Sequence, residues 1–142
     1  MNVKTKKILI NKINQSFWWH VAPKDLTAYK KRGKFFASTY KQAEFYGRPN
    51  NIPDRIKISN PMCETSEINI LKTLFPTNYK KLYNFVIDDC KNWYERRIKL
   101  DSKIYQKAKN MGYDAIVLLG SNANKYLMKN RKPHSIELNL CK

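Results

Sequence analysis

Phe17-Trp18-Trp19-His20-Val21-Ala22-Pro23, a polar turn closing on Gly33, then Phe35-Phe36-Ala37-Ser38-Thr39 and Gln42-Ala43-Glu44-Phe45-Tyr46-Gly47: the reading of these residues decides the fold. Aromatic and β-branched residues crowd the first run, which predicts a half-buried strand from Phe17 to Val21 with His20 near its end. Ser38 or Thr39 is placed to cap a helix with Ala43 and Tyr46 on its inward face and Gly47 as its stop. A donor histidine, hydroxyls at a helix start and a stacking aromatic would then face one cleft, a set suited to a ligand with phosphates and a flat ring.

Working outward, Ile8 to Ile10 is expected as a short strand and Arg55-Ile56-Lys57-Ile58-Ser59 as an alternating one that stops at Asn60-Pro61. The region 66–111 reads as a mostly helical insertion broken at Pro76, with Asp101-Ser102 as an internal cap and Gly112 as a C-cap after Met111. Ala115-Ile116-Val117-Leu118-Leu119 is a continuous apolar run that belongs in the middle of a sheet. Lys125 to Met128 and Ser135 to Leu140 read as two short closing strands. This order predicts an α+β fold, one domain over 1–142 with a split, mainly antiparallel sheet and a helical insertion.

With 142 residues and 42% apolar content the chain is long enough for one core. No apolar run approaches the roughly 18 residues that span a bilayer, and the N-terminus mixes Lys4, Lys6 and Lys7 with Ile8, Leu9 and Ile10, so a cytoplasmic protein without a membrane partner is expected. Cys63, Cys90 and Cys141 are odd in number and match no metal spacing, which argues against a disulfide framework and a zinc site; no metal is expected. Carboxylates are scattered, with Asp88-Asp89 the adjacent pair on a helix where neighbours diverge, so a metal-dependent nuclease is disfavoured.

Twenty-eight Lys and Arg against eleven Asp and Glu give a formal charge of +17, which attracts polyanions: nucleic acid, a nucleoprotein or an acidic protein. Arg96, Lys99, Lys103 and Lys107 recur at intervals of three and four, stacking on one helix face opposite an apolar stripe of Leu100, Ile104, Ala108 and Met111. Such a stripe is either a solvated face or a surface that tracks phosphates.

Four segments in order carry a resemblance. Trp19-His20-Val21-Ala22, Gly33 to Gly47, Ile56-Lys57-Ile58-Ser59-Asn60-Pro61-Met62, and Ala108 to Val117 with its Gly112-Tyr113-Asp114 together cover more than half of the chain. In this order they resemble the small ADP-ribosyltransferase-like proteins of bacteria and their phages. The resemblance implies NAD+ as co-substrate, cleaved at its nicotinamide–ribose bond, with ADP-ribose passed to a target nucleophile. It implies that His20, Val21, Ala22, Phe36, Ser38, Thr39 and Tyr46 bind NAD+, with His20 on the adenosine-side ribose and Tyr46 or Phe36 packing on nicotinamide. Ala22 stands where many relatives carry a hydroxyl. The family's glutamate lies on a strand near the C-terminus; Lys125 occupies the position ahead of the expected strand Tyr126-Leu127-Met128, which leaves Glu137. By strand parity Glu137 points away from the core, and it either faces the ribose or is a plain surface residue. His20, Tyr46 and Glu137 are thus the candidate catalytic set, and a nucleic acid or nucleoprotein is the implied target, as for a phage or mobile-element effector acting in a host cell against defence complexes such as CRISPR. Two readings from other classes stand beside it: a metal-independent ribonuclease using His20 and His134, and a non-enzymatic basic binder that blocks a nucleic-acid-handling complex.

Overall fold

The computed structural model of the chain describes residues 1–87 and 92–142. Cys90 and the Asp88-Asp89 pair lie outside the described residues.

The chain starts not with a strand but with helix α1, Val3–Asn14. Asn2 caps it by accepting from the Thr5 amide at 2.8 Å, and Thr5, Leu9 and Ile13 bury one face at four-residue intervals. The Ile8–Ile10 run is therefore part of a helical stripe, a period that three residues alone do not reveal. β1, Phe17–Trp18, pairs antiparallel with β3, Asp54–Arg55, and Trp19 bridges to Ala37. The expected strand to Val21 is thus shorter by its second half. Trp18 is fully buried while Phe17 and Trp19 face outward, the alternation of an extended chain.

A short helix α2, Ala28–Arg32, ends on Gly33 and feeds β2, Lys34–Ala37; Thr39 then caps α3, Tyr40–Glu44, by accepting from the Gln42 amide at 3.1 Å. Ala43 is buried as expected, but Tyr46 is 61% exposed, because α3 ends at Glu44 before the turn that would carry Tyr46 inward.

The expected strand at Arg55–Ser59 is confined to β3. Ile56 and Ile58 are buried, so the alternation was a true burial signal. The Asn14 side chain, however, takes the place of a neighbouring strand: its amide donates to the Ile58 carbonyl at 3.0 Å and its carbonyl oxygen accepts from the Ile58 amide at 2.8 Å. The ladder resumes at β4, Pro61–Glu64, with proline at the first position, where a strand tolerates it.

The described residues of the region 66–111 are mostly helical as expected: α4, Glu67–Leu74; α5, Tyr79–Ile87; α6, Trp93–Asn110. It is the crossover that joins β4 to its parallel neighbour β5, Ala115–Leu119. α6 runs unbroken through Asp101-Ser102, so no internal cap forms there; the Asp101 carboxylate accepts from Arg97 one turn earlier instead. Gly112 follows the C-cap Met111 at φ +89°, a left-handed position that suits glycine. Met111 is 46% exposed and lies beyond the buried stripe of Leu100, Ile104 and Ala108.

Where a strand was expected at Lys125–Met128 the chain forms α7, Ala123–Met128, which buries Ala123 and Leu127 one turn apart and leaves Met128 outside. β6, Ile136–Leu140, then runs antiparallel between β2 and β5. The four-stranded sheet has the order β2-β6-β5-β4, with β5 interior as its apolar run requires, and beside it stands the two-stranded β1-β3 ladder. The result is an α+β chain with a mixed sheet. One sheet face packs on Leu9, Ile13, Trp18 and Leu127; the other, through Met62 and Ile116, packs on α4, α5 and α6.

Candidate functional site

Strand register places Ala37, Glu137, Leu118 and Glu64 in one row across β2, β6, β5 and β4. The row faces the α4–α6 side, as Leu118 packs there with Ile116 and Met62. It lies at the carboxyl ends of the parallel pair β4 and β5, where chains leave the sheet and open α/β sheets form their clefts. Glu137 is exposed between buried Ile136 and Leu138.

Onto this row comes Tyr46, from the turn after α3. Its hydroxyl donates to Glu137 Oε1 at 2.9 Å, joining residues 91 apart in sequence. Partial burial of the hydroxyl, then the charge of Glu137 and the hydrogen bond to it, raise the Tyr46 pKa to about 12, so Tyr46 stays a donor at neutral pH. Among the described residues no salt bridge involves Glu137. Phe45, 87% exposed, stands edge-on to Tyr46 with ring centroids 5.1 Å apart. Gly47, at φ +143°, is needed here, since a Cβ on it would meet Val21 Cγ1 at 2.9 Å; the missing side chain lets the Tyr46 turn close against the His20–Ala22 segment.

The charges of Arg97 and Asp101 on α6 also act on the Tyr46 hydroxyl. Arg97 donates to Glu67 at 2.7 Å and to Asp101 through Nη2 at 2.7 Å and Nε at 3.0 Å, and Arg32 approaches Asp101 at 4.0 Å. Burial opposes the guanidinium charge, but the bond to Glu67 and the charge of Asp101 outweigh it and hold Arg97 protonated. Burial raises the Asp101 carboxyl against the opposing pull of Arg97. The i,i+4 spacing of Arg97 and Asp101 was a visible signal of this network; the third member, Glu67, comes from α4 and left none.

His20 is placed differently from a ligand contact. It is 4% exposed, with Nδ1 2.6 Å from the Phe35 carbonyl and Nε2 2.8 Å from the Tyr29 hydroxyl. A carbonyl only accepts, so Nδ1 carries the proton and Nε2 accepts from Tyr29. Burial lowers the imidazole pKa; the Phe35 bond and Asp54 oppose it, and Lys34 adds to it. Both ring nitrogens are thus spent on holding β2 and α2, and His20 offers one to a ligand only where the Tyr29 hydroxyl leaves. His134 is exposed and stands edge-on to Tyr126.

Phe36 does not share the face of the sheet that carries Glu137. It pairs with Leu138, is 4% exposed and belongs to the core facing α1. Ser38 donates to Gln42 at 2.6 Å, and Gln42 donates to Ser135 at 2.6 Å, pinning α3 to the start of β6. Thr39 is exposed at its cap, Ala22 is exposed and Val21 half-buried at the rim.

Lys99, Lys103 and Lys107 are exposed on α6, each next to a buried residue of the row Leu100, Ile104 and Ala108 and so about 100° round the helix from it. Arg96 leaves the stripe: its guanidinium lies 4.8 Å from the Phe85 ring centre and donates to the Phe85 carbonyl. Burial raises the Cys63 and Cys141 thiols to about 11 and about 12, so neither is a reactive thiolate at neutral pH. Among the described residues no group of His, Cys, Asp and Glu is arranged to hold a metal ion, and no helix is long and apolar enough to cross a membrane. Compared with protein-family models, with curated proteins and with solved structures, the chain finds no match.

Proposed function

We propose that this chain is an ADP-ribosyltransferase-like enzyme that uses NAD+ to modify a nucleic acid or nucleoprotein. The observation that carries the reading is the Tyr46–Glu137 pair, two exposed and hydrogen-bonded groups brought from 91 residues apart to the open end of the sheet. Three of the four segments that carry the family resemblance converge on the same sheet: Gly33 to Gly47 supplies β2, α3 and the Tyr46 turn, Ile56 to Met62 leads into β4, and Ala108 to Val117 supplies the end of α6 and β5. Lys125 lies on helix α7, whereas Glu137 lies on the last strand, which supports Glu137 as the carboxylate of this reading.

NAD+ supplies ADP-ribose together with nicotinamide, a leaving group that departs neutral. Glu137 Oε1 accepts from Tyr46, which orients the carboxylate and leaves Oε2 for a ribose hydroxyl. The full negative charge is then set beside the ribose as positive charge develops there, the situation in which a fixed charge lowers a barrier most. The acceptor's oxygen or nitrogen bonds to the ribose carbon as the bond to nicotinamide breaks, and Glu137 takes up the proton the acceptor releases. Phe45 and Tyr46 offer the exposed rings against which nicotinamide packs.

The test is incorporation of label from NAD+ into a cell lysate, split afterwards between protease and nuclease. Wild type labels, Glu137→Gln loses the activity by about a hundredfold or more, and Tyr46→Phe loses about tenfold with folding kept. Equal labelling by wild type and Glu137→Gln, or none by wild type, overturns the reading.

A further inference from the structure

A second feature of the molecule shares no residue with the Tyr46–Glu137 site. Between α5 and α6 lies an open cleft of ≈ 280 Å³. Its floor is apolar, made of Leu82, Phe85 and Leu100, and its rim carries Lys81 from α5 with Lys99 and Lys103 from α6. The Asn78 amide stands at the same rim, and among the described residues no carboxylate lines the cleft. Two of these lysines belong to the stripe on α6, and Lys107 continues it by a further turn. Four residues of helix rise about 6 Å, so the ammonium groups recur at a spacing a phosphate chain can follow.

We infer that this cleft binds single-stranded nucleic acid. Three features select that ligand class over an acidic protein. Lys99, Lys103 and Lys107 follow one another along α6, with Lys81 of α5 at the same cleft, and such a row matches a backbone with one charge per residue. The floor includes an aromatic ring held in place by Arg96, which packs on Phe85 and bonds its carbonyl at 3.2 Å, so the ring is a fixed surface for a base to pack against. The cleft volume accommodates a flat ring at the floor with its phosphates at the lysine rim, whereas a duplex keeps its base faces stacked on one another and would leave the floor unused. The chain's +17 charge draws any polyanion near, and the cleft is the place that distinguishes among them.

The experiment is fluorescence anisotropy of the whole chain, without NAD+, against a labelled single strand of about twelve nucleotides, a duplex of the same length and polyglutamate. The outcome is therefore independent of transferase activity. Wild type is expected to bind the single strand at least about tenfold more tightly than duplex or polyglutamate, with affinity falling steeply from about 50 to about 200 mM salt. Lys99→Gln with Lys103→Gln lowers the slope of log affinity against log salt by about 1.4, at about 0.7 per lost phosphate contact. Phe85→Leu, which keeps an apolar core residue, weakens the single strand about tenfold and leaves duplex binding within about twofold. Lys4→Gln with Lys7→Gln, on exposed positions of α1, removes the same charge and leaves the slope within about 0.3 of wild type. The inference is overturned if the α1 variant weakens binding as much as the α6 variant, if duplex or polyglutamate binds as tightly as the single strand, or if no binding is seen at low salt.

Discussion

His20→Ala reads in this structure as a stability variant before it is a catalytic one. The imidazole is 4% exposed, lies between the Tyr29 and Phe36 rings with centroids 5.6 and 5.3 Å away, and makes two hydrogen bonds. Truncation loses about 1 kcal/mol for each bond and leaves a ring-sized void worth about another 1–2, so the cost is about 3–4 kcal/mol. For a chain of this size the melting temperature falls on the order of 10 °C. The pH dependence follows from the lowered pKa. Above about 6.5, the unfolded value, the ring is neutral in both states and its full contribution is present. As pH drops below that, the unfolded chain binds a proton that the folded one resists, and stability declines by up to about 1.4 kcal/mol per pH unit until the folded group also titrates. Urea unfolding followed by tryptophan fluorescence, with Trp18 as a fully buried reporter, measures both effects. His20→Gln, which keeps a donor for the Phe35 carbonyl but does not titrate, isolates the histidine from every other group: the difference between wild type and this variant carries the slope. If His20→Ala unfolds within about 1 kcal/mol of wild type, or if the wild-type and His20→Gln profiles run parallel from pH 7.5 to pH 5, the imidazole is not held as described.

Two further outcomes follow from local geometry. Arg97→Ala leaves Asp101, whose side chain is 13% exposed, and Glu67 without their shared cation; it costs about 3 kcal/mol in thermal or chemical unfolding, and Arg97→Lys recovers less than half because a point charge does not reproduce the fork that reaches both carboxylates. Gly33→Ala places a Cβ 2.3 Å from Asn139 Oδ1 and 2.8 Å from the Leu140 carbonyl at φ +82°, and costs more than about 3 kcal/mol, while Gly112→Ala, at φ +89° with nothing within 4 Å, costs only about 1; calorimetry on the two variants separates clash from backbone strain.

Where local chemistry acts within a few residues, the sequence was a sufficient guide. Thr39 caps its helix, Pro76 falls just after α4, Gly112 follows the end of α6, and the apolar run Ala115–Leu119 lies inside the sheet. Each of these depends on a hydrogen bond within three or four residues or on the number of apolar residues in a row. Errors arose where the same pattern serves two partners. Ile8 to Ile10 and Tyr126 to Met128 are as apolar as short strands, yet both are helical, because the deciding residues, Thr5 with Leu9 and Ile13, and Ala123 with Leu127, lie one turn away. Ile56 and Ile58 alternate as in a strand, but a distant asparagine satisfies the Ile58 backbone.

The candidate site divides in the same way. Strand parity along Ile136-Glu137-Leu138 determined that Glu137 leaves the core, and the i,i+4 spacing on α6 determined which lysines share a face. Only the tertiary structure decided that Tyr46 meets Glu137, that Phe36 lies on the other side of the sheet, and that both nitrogens of His20 are already bound. The physical reason is that periodicity says which way a side chain points from its own element. Which group it meets there depends on sheet order and register, and these are set by the packing of both sheet faces at once.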